Sequence, residues 1–384
     1  MTSTTFHKTT GSTARHLKVA IVGCGIIAAN HARALDRLEG VEIAVVVDPD
    51  PVAAGALADL VATELGAPRP RVLGDLDAAL AGGEVDLVDV CTPSGTHVEL
   101  ALQALAAGAH VVLEKPLDVS MARGRALARA VAASPGQVVS VICQHRFDAA
   151  SVAVAAAAHG GGFGRVTSAV ASVAWWRSQE YYDSGDWRGT WALDGGGALM
   201  NQGVHTVDLL VWFLGRPVEV YAHTGGLAHE RVEVEDVAVA TVRFESGALA
   251  VLHATTAAHP GLSVRIAVHG SAGSGVIDDD QLAYLAVDGA VVNAAETAVE
   301  PHDLHGRPTA PDAWVMGHAR QLQDVVDAVR TGRAPGVTVA DALLDLAVVR
   351  AVYLSATLGR PVLVDDVLDG SLDDEIVATA GARA

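Results

Sequence analysis

Between residues 17 and 145, short and almost wholly apolar runs alternate with longer amphipathic ones, and this rhythm constrains the fold more than anything else in the chain. LKVAIVG, VEIAVVVD, VDLVDVCTP, AHVVLEKP and QVVSVICQ read as strands buried on both faces. Between them stand IIAANHARALDRLEG, PDPVAAGALADLVATELG, THVELALQALAAG and SMARGRALARAVAA, each with helical spacing. The first helix is expected to end on a glycine C-cap, and the second is bracketed by proline and glycine. Strand–helix–strand alternation demands right-handed crossovers, so this half is predicted to be a doubly wound parallel sheet.

The pattern changes after about residue 147. One helical stretch, around Ala149–His159, precedes the alternating runs VTSAVASVAWW, VEVYAHTGG, EDVAVATVRFESGALAVLHATT and LSVRIAVHGSAG. ESG between two alternating runs reads as a hairpin turn, and strands with so little helix between them imply an open, mainly antiparallel sheet. Pro311–Leu358 returns to helix. The expected organisation is α/β followed by α+β: a disordered leader over 1–16, a dinucleotide-binding domain over 17–147, a substrate and oligomerisation domain over 148–369, and a loose tail over 370–384.

Composition removes several functions. The net charge of −19, from 26 Lys and Arg against 45 Asp and Glu, repels phosphate backbones, so no nucleic-acid partner is expected. The polar start MTSTTFHKTTGSTARH lacks the apolar core of a signal peptide, and no apolar run is long enough to span a membrane. Cys24, Cys91 and Cys143 form no C-x-x-C pair and are expected to be buried free thiols. A cytoplasmic protein is the expectation.

VAIVGCGIIAAN places Gly23-x-Gly25-x-x-Ala28 between a strand and a helix. The first glycine permits the tight turn, the second lets a pyrophosphate approach the backbone, and the small Ala28 allows close helix–strand packing. Asp48 closes the next strand, where a carboxylate binds ribose hydroxyls and repels a 2′-phosphate, which favours NAD over NADP. The cofactor reading of this Rossmann pattern takes in Gly23, Gly25, Ile26, Ile27, Asp48, Thr92, Pro93, Ser94, His97, Glu114, Lys115 and Gln144.

Lys115 follows a strand directly, with Glu114 and Pro116 fixing the turn, and is expected to reach the crevice beyond the strand ends. Farther on, GGGALMNQGVHTVDLLVWFLG reads as a helix stopped by Gly215. Met200, Val204, Val207 and Val211 form its core stripe, and Asn201, His205, Asp208 and Trp212 a neighbouring row. An imidazole in such a row suits proton removal from a hydroxyl. His205-x-x-Asp208 could also offer two metal ligands, but no third is spaced nearby and no metal is expected. Arg177 and Arg188, among the aromatics of WWRSQEYYDSGDWRGTW, could hold an anionic group, and Tyr181 could stack on a sugar.

At these residues the sequence resembles the Gfo/Idh/MocA family of NAD(P)-dependent oxidoreductases. VGCGIIAANHARAL, VVVDPD, CTPSGTHVELALQAL, HVVLEKPL and GDWRGTWALDGGGALMNQGVHTVDLL carry the resemblance, as does DVVDAVRTGRAP with VRAVYLSATLGRPV, and it covers roughly residues 17–365. It implies hydride transfer between NAD and a ring hydroxyl of a sugar, glycoside or polyol, and a homodimer or homotetramer through the C-terminal sheet. It also implies Lys115 as substrate-binding and proton-relay lysine, His205 as general base, a cis Pro116, and Trp187 and Arg188 at the nicotinamide end. Asn201 stands where many members carry aspartate; an amide can orient Lys115 or a hydroxyl but cannot stabilise an imidazolium as a carboxylate does. The resemblance also admits an NAD-dependent glycoside hydrolase, acting on an anionic sugar such as a sulfosugar, and a non-catalytic NAD-sensing protein.

Overall fold

The computed structural model describes residues 16–185, 187–304 and 312–377. Apart from His16, the expected leader lies outside them, as does the expected tail from residue 378. The chain divides into two compact units.

The first unit carries six strands, β1 (Leu17–Val22), β2 (Val41–Val47), β3 (Arg71–Leu73), β4 (Leu87–Val90), β5 (His110–Leu113) and β6 (Val139–Val141), all parallel, in the order β3-β2-β1-β4-β5-β6. The strand order reverses between β1 and β4, so the carboxyl ends of these two strands open the crevice where doubly wound sheets take ligands. The three residues of β3 are too few to show a period, and no strand was expected there. The first helix ends at Leu35 instead of running to Gly40; Asp36 caps it, and the Gly40 carbonyl accepts from Leu17 N at the head of β1.

A long helix, Ala313–Thr331, also falls in this unit rather than in the 148–369 domain of the sequence reading. Its apolar side, Leu322, Val325, Val326 and Ala328, is fully buried in the same core as Val19, Ala32, Leu35 and Val46. Gln321, itself buried, fixes the docking: its Oε1 accepts from Cys143 N at 2.9 Å and its Nε2 donates to Val141 O at 2.8 Å. A sequence cannot announce that a remote amphipathic helix returns to an earlier sheet.

The second unit holds β7 (Val166–Ala174), β8 (Pro217–Gly225), β9 (Val237–Phe244), β10 (Leu249–Thr255), β11 (Val264–Gly270), β12 (Ser274–Asp278), β13 (Gln281–Ala286) and β14 (Val362–Leu363). Their order is β13-β12-β11-β7-β10-β9-β8-β14, antiparallel except between β7 and β10. The ESG hairpin forms as expected, with Gly247 at φ 86°. One face is small and buried, through Ala169, Ala171, Ala240, Val242, Ala250 and Leu252; the other keeps Val170, Val239, Leu249 and Val251 exposed. Among the described residues no helix is long and apolar enough to cross a membrane.

Candidate active site

The turn after β1 is shaped by Gly23, whose φ of +87° suits glycine and whose missing Cβ would meet Thr92 Cγ2 at 2.8 Å. Gly23 N donates to Val47 O, and Cys24 N donates to Asp48 Oδ2, each at 2.8 Å. Asp48 Oδ1 accepts from Asp50 N, so the carboxylate is locked at the end of β2 with lone pairs left for a ribose. Gly25 caps the helix Ile26–Leu35 without a side-chain hydrogen bond, and a Cβ there would meet nothing within 4 Å. Ile26 is 90% exposed and Ile27 half-buried beside it, while Ala28 is fully buried against the sheet. An open glycine, free first-turn amides and a fixed carboxylate one strand away fit a dinucleotide pyrophosphate and ribose. Cys24 is half-buried rather than buried. Burial, reinforced by Asp48, pushes its thiol up to about 12, and burial with Asp89 does the same for Cys91.

The lysine turn follows β5. The Lys115–Pro116 bond is cis, and Glu114 accepts from Lys115 N at 3.1 Å. His97 is buried, with Nδ1 2.7 Å from Pro116 O and Nε2 2.9 Å from Thr92 O, so it ties the β4 loop to this turn. Thr92 accepts from the Thr96 hydroxyl at 2.8 Å, Ser94 is buried, Pro93 is exposed, and Gln144 is buried beyond β6.

The side chain of Glu114, a residue expected at the cofactor, lies in a buried ionic network. His31 Nδ1 meets Asp89 Oδ2, and its Nε2 meets Glu114 Oε1, both at 2.9 Å. His318 approaches the same Glu114 oxygen at 3.5 Å. Burial works against charge on His31, but Asp89 outweighs it and holds the imidazole well above its usual range. Burial likewise opposes charge on Glu114, but the two histidines hold its carboxyl well below the ordinary value. His31 lies inside the quoted VGCGIIAANHARAL, on the helix side that also buries Ala28, Ala32 and Leu35; a histidine in an apolar stripe was the available signal.

In the second unit, a single π-helical turn over Ala198–Gly203 runs into the helix Val204–Leu214. Such turns concentrate at functional sites. The three glycines before it are demanded by close approach: a methyl on Gly196 would overlap the Tyr353 hydroxyl, and one on Gly197 the carbonyl oxygen of Glu235. Glu235 is buried and clamps the helix start. Its Oε2 accepts from Gly197 N and its Oε1 from Leu199 N, both at 2.8 Å, and the Tyr353 hydroxyl donates to Oε1 at 3.0 Å. Burial pushes this carboxyl up to about 7 against those three donors. No feature of the sequence marks Glu235.

The core stripe Met200, Val204, Val207 and Val211 is buried as expected. The polar row divides. Asn201 Nδ2 donates to the buried Asp194 at 2.7 Å, and Asp194 in turn accepts from Gly189 N. Asp208 is buried and paired with Arg146 at 2.6 Å, so it faces a guanidinium rather than a cavity. His205 is half-buried and meets the ring of His145 edge-on at 5.1 Å. Burial opposes charge on His145, but Asp280 and Asp148 push it up to about 9, which makes it cationic at neutral pH. His145 was not anticipated from sequence.

The loop after β7 supplies an aromatic and cationic wall, with Trp175, Arg177, Tyr181, Trp187 and Arg188 all partly exposed. Arg177 Nη2 donates to Gln202 Oε1 at 3.2 Å and Arg188 Nη1 to the Tyr181 hydroxyl at 2.9 Å. Gln202, the neighbour of Asn201, was not singled out from sequence.

Residues 17–143 match the model of an oxidoreductase family with an NAD-binding Rossmann fold, and residues 151–276 match the GFO/IDH/MocA C-terminal domain. The chain is 30% identical to the WlbA dehydrogenase of Bordetella pertussis, solved with NADH and UDP-GlcNAcA, covering 92% of this chain and 99% of that one with a TM-score of 0.79. It is 32% identical to the WlbA dehydrogenase of Chromobacterium violaceum, solved with the same two ligands, with 92% and 97% coverage and a TM-score of 0.76. Inositol 2-dehydrogenase 2 of Paenarthrobacter aurescens is 27% identical over 84% of this chain and 90% of its own length.

Proposed function

Because the chain belongs to the GFO/IDH/MocA oxidoreductase family, we propose that it oxidises a ring hydroxyl of a sugar or polyol with NAD, or reduces the matching ketone with NADH. The observation that carries the reading is the open-glycine cradle with Asp48 fixed beside it, combined two strands along with a lysine on a buttressed cis-proline turn. The Paenarthrobacter relative named for inositol and the Bordetella structure holding UDP-GlcNAcA support the carbohydrate class.

Bound NAD supplies the hydride acceptor. Gly25 and the helix amides would hold its phosphates, Asp48 its adenosine ribose, and Thr92, Trp187 and Lys115 its nicotinamide end. The Lys115 ammonium binds and polarises the reacting hydroxyl, Asn201 orients it from its seat on Asp194, and His205 takes its proton. With NAD+ bound, the carbinol carbon would lose its hydride to it as the oxygen loses its proton, which balances as ketone, NADH and one proton. Arg177 and Tyr181 hold the rest of the sugar.

The exposed face with Val170, Val239, Leu249 and Val251 is apolar for a surface that solvent alone would cover, and it supports self-association as a homodimer or homotetramer. The free thiols Cys24, Cys91 and Cys143 suit the reducing cytoplasm. The test is incubation of the full chain and NAD+ with a panel of inositols, aldoses, uronic acids and glycosides. Sustained NADH accumulation with ketone formed one for one supports the reading. Aglycone release without net NADH would overturn it.

A further inference from the structure

Two guanidinium groups share one aromatic ring in the second unit. The Arg177 guanidinium carbon lies 5.1 Å, and that of Arg188 4.4 Å, from the centre of the Tyr181 ring. Arg177 also stacks on Trp175 at 4.9 Å, and Arg188 on Trp187 at 4.4 Å. Both cations are thus packed on aromatic faces, which hold them in place without neutralising them. Among the described residues their hydrogen bonds go only to neutral groups, the Gln202 amide and the Tyr181 hydroxyl, and the buried Nε of Arg177 has no partner. The nearby Asp183, on the same short helix as Tyr181, is paired with Arg231 at 2.7 Å instead. In a chain with 45 acidic residues and a net charge of −19, two adjacent arginines lacking a described carboxylate partner are an exception that needs a cause.

The pair is wired to the site helix. Gln202 accepts from Arg177 through Oε1 and donates through Nε2 to the Tyr181 hydroxyl at 3.3 Å, which also accepts from Arg188. Gln202 sits in the π-helical turn, next to Asn201 and three residues before His205. Each guanidinium offers five N–H donors in a planar fork that matches a carboxylate, and most of those donors are left for a ligand.

We propose that Arg177 and Arg188 form a carboxylate subsite, so that the substrate is a sugar acid rather than a neutral sugar or polyol. The inference rests on the carbohydrate oxidoreductase reading above, and it places Arg188 on the substrate rather than on the nicotinamide. Tyr181 and Trp175 stack against the guanidinium planes and hold the forks in position, and Gln202 sets the distance from the carboxylate to the residues that handle the reacting hydroxyl.

Matched pairs differing only in the acid group test it: glucuronate against glucose, galacturonate against galactose. With the full chain and NAD+, kcat/KM should favour the acids by on the order of 10- to 100-fold. Arg177→Met and Arg188→Met should each bring the acid-to-neutral ratio toward one while leaving NAD+ affinity within about threefold. Binding to the NADH-loaded enzyme, read by calorimetry, separates the two readings. Preference for the acid in binding without any turnover would sustain the subsite and sink the oxidoreductase assignment. Equal binding of acid and neutral sugar, or an Arg188→Met variant that loses NAD+ affinity and keeps the acid preference, would overturn the subsite.

Discussion

The lysine turn and the start of the histidine helix are both held rigid from behind, but by opposite electrostatics. Behind Lys115, the His31 imidazolium stands between two carboxylates, so the network is ionic, with one cation bridging two buried anions. Behind the helix of Asn201 and His205, one carboxylate, Glu235, is buried with only backbone amides and a phenol to stabilise it. The first arrangement keeps its protons in place across the physiological range, because the partners' shifts reinforce each other. The second titrates near neutrality, because dipoles offset only part of the cost of burying charge. One cluster is robust to pH and intolerant of losing a member; the other tolerates neutralisation and responds to pH.

Substitutions at five positions sharpen or break that contrast. The largest effect is expected on turnover. Lys115→Ala and His205→Asn should each lower kcat by about 10²- to 10⁴-fold, with the NAD+ dissociation constant changed by less than about threefold in titrations of His205→Asn and by less than about tenfold in Lys115→Ala. Turnover within a few-fold of the parent in either variant would remove that residue from the chemistry.

Next comes His31→Asn, which strands Asp89 and Glu114 as buried charges. Unfolding by denaturant should show a loss of about 3–5 kcal/mol, and a loss under 1 kcal/mol would show that the network is not ionic. His31→Lys, if it folds, should recover part of the loss by restoring the cation.

Glu235→Gln should cost less, about 1–3 kcal/mol, since the amide can accept from Leu199 but turns a donor toward Gly197 N. Its pH signature is the sharper readout. A carboxyl raised from 4.5 to about 7 on folding contributes stability that is complete below pH 4.5 and lost as pH rises to 7, a fall of about 3 kcal/mol. That slope should be absent from Glu235→Gln, so that the stability difference between parent and variant changes by about 2–3 kcal/mol between pH 5 and pH 7.5. The smallest change is Tyr353→Phe, which removes one donor to Glu235 and one acceptor for Met200 N, at about 1 kcal/mol by thermal unfolding.

The same contrast explains what could be read from the sequence. The doubly wound sheet and the open antiparallel sheet were legible because their apolar periods are local, and so were the glycine turn with Asp48 and the lysine before a cis proline. The supports were not. His31 meets partners 58 and 83 residues away, and Glu235 reaches its helix across 36 and 38 residues. Neither sits in a pattern that spacing could reveal. Glu114 carries the same lesson: the sequence shows a strand-end acid, while its buried histidine partner lies 83 residues away. The helix Ala313–Thr331 shows the same limit at the scale of an element, since amphipathicity gives the existence of a buried face but not the sheet it covers.

The central claim is that this chain moves a hydride from a carbinol carbon to NAD+ with Lys115 and His205 managing the hydroxyl. Mass spectrometry of the nicotinamide recovered after incubation with a carbinol-deuterated sugar of the class that turns over best tests it directly. The account predicts NADH carrying one deuterium, formed in step with the ketone, and none in the Lys115→Ala variant with cofactor bound. Substrate consumed with no deuterium in the recovered nicotinamide, or equal labelling by parent and variant, would contradict it.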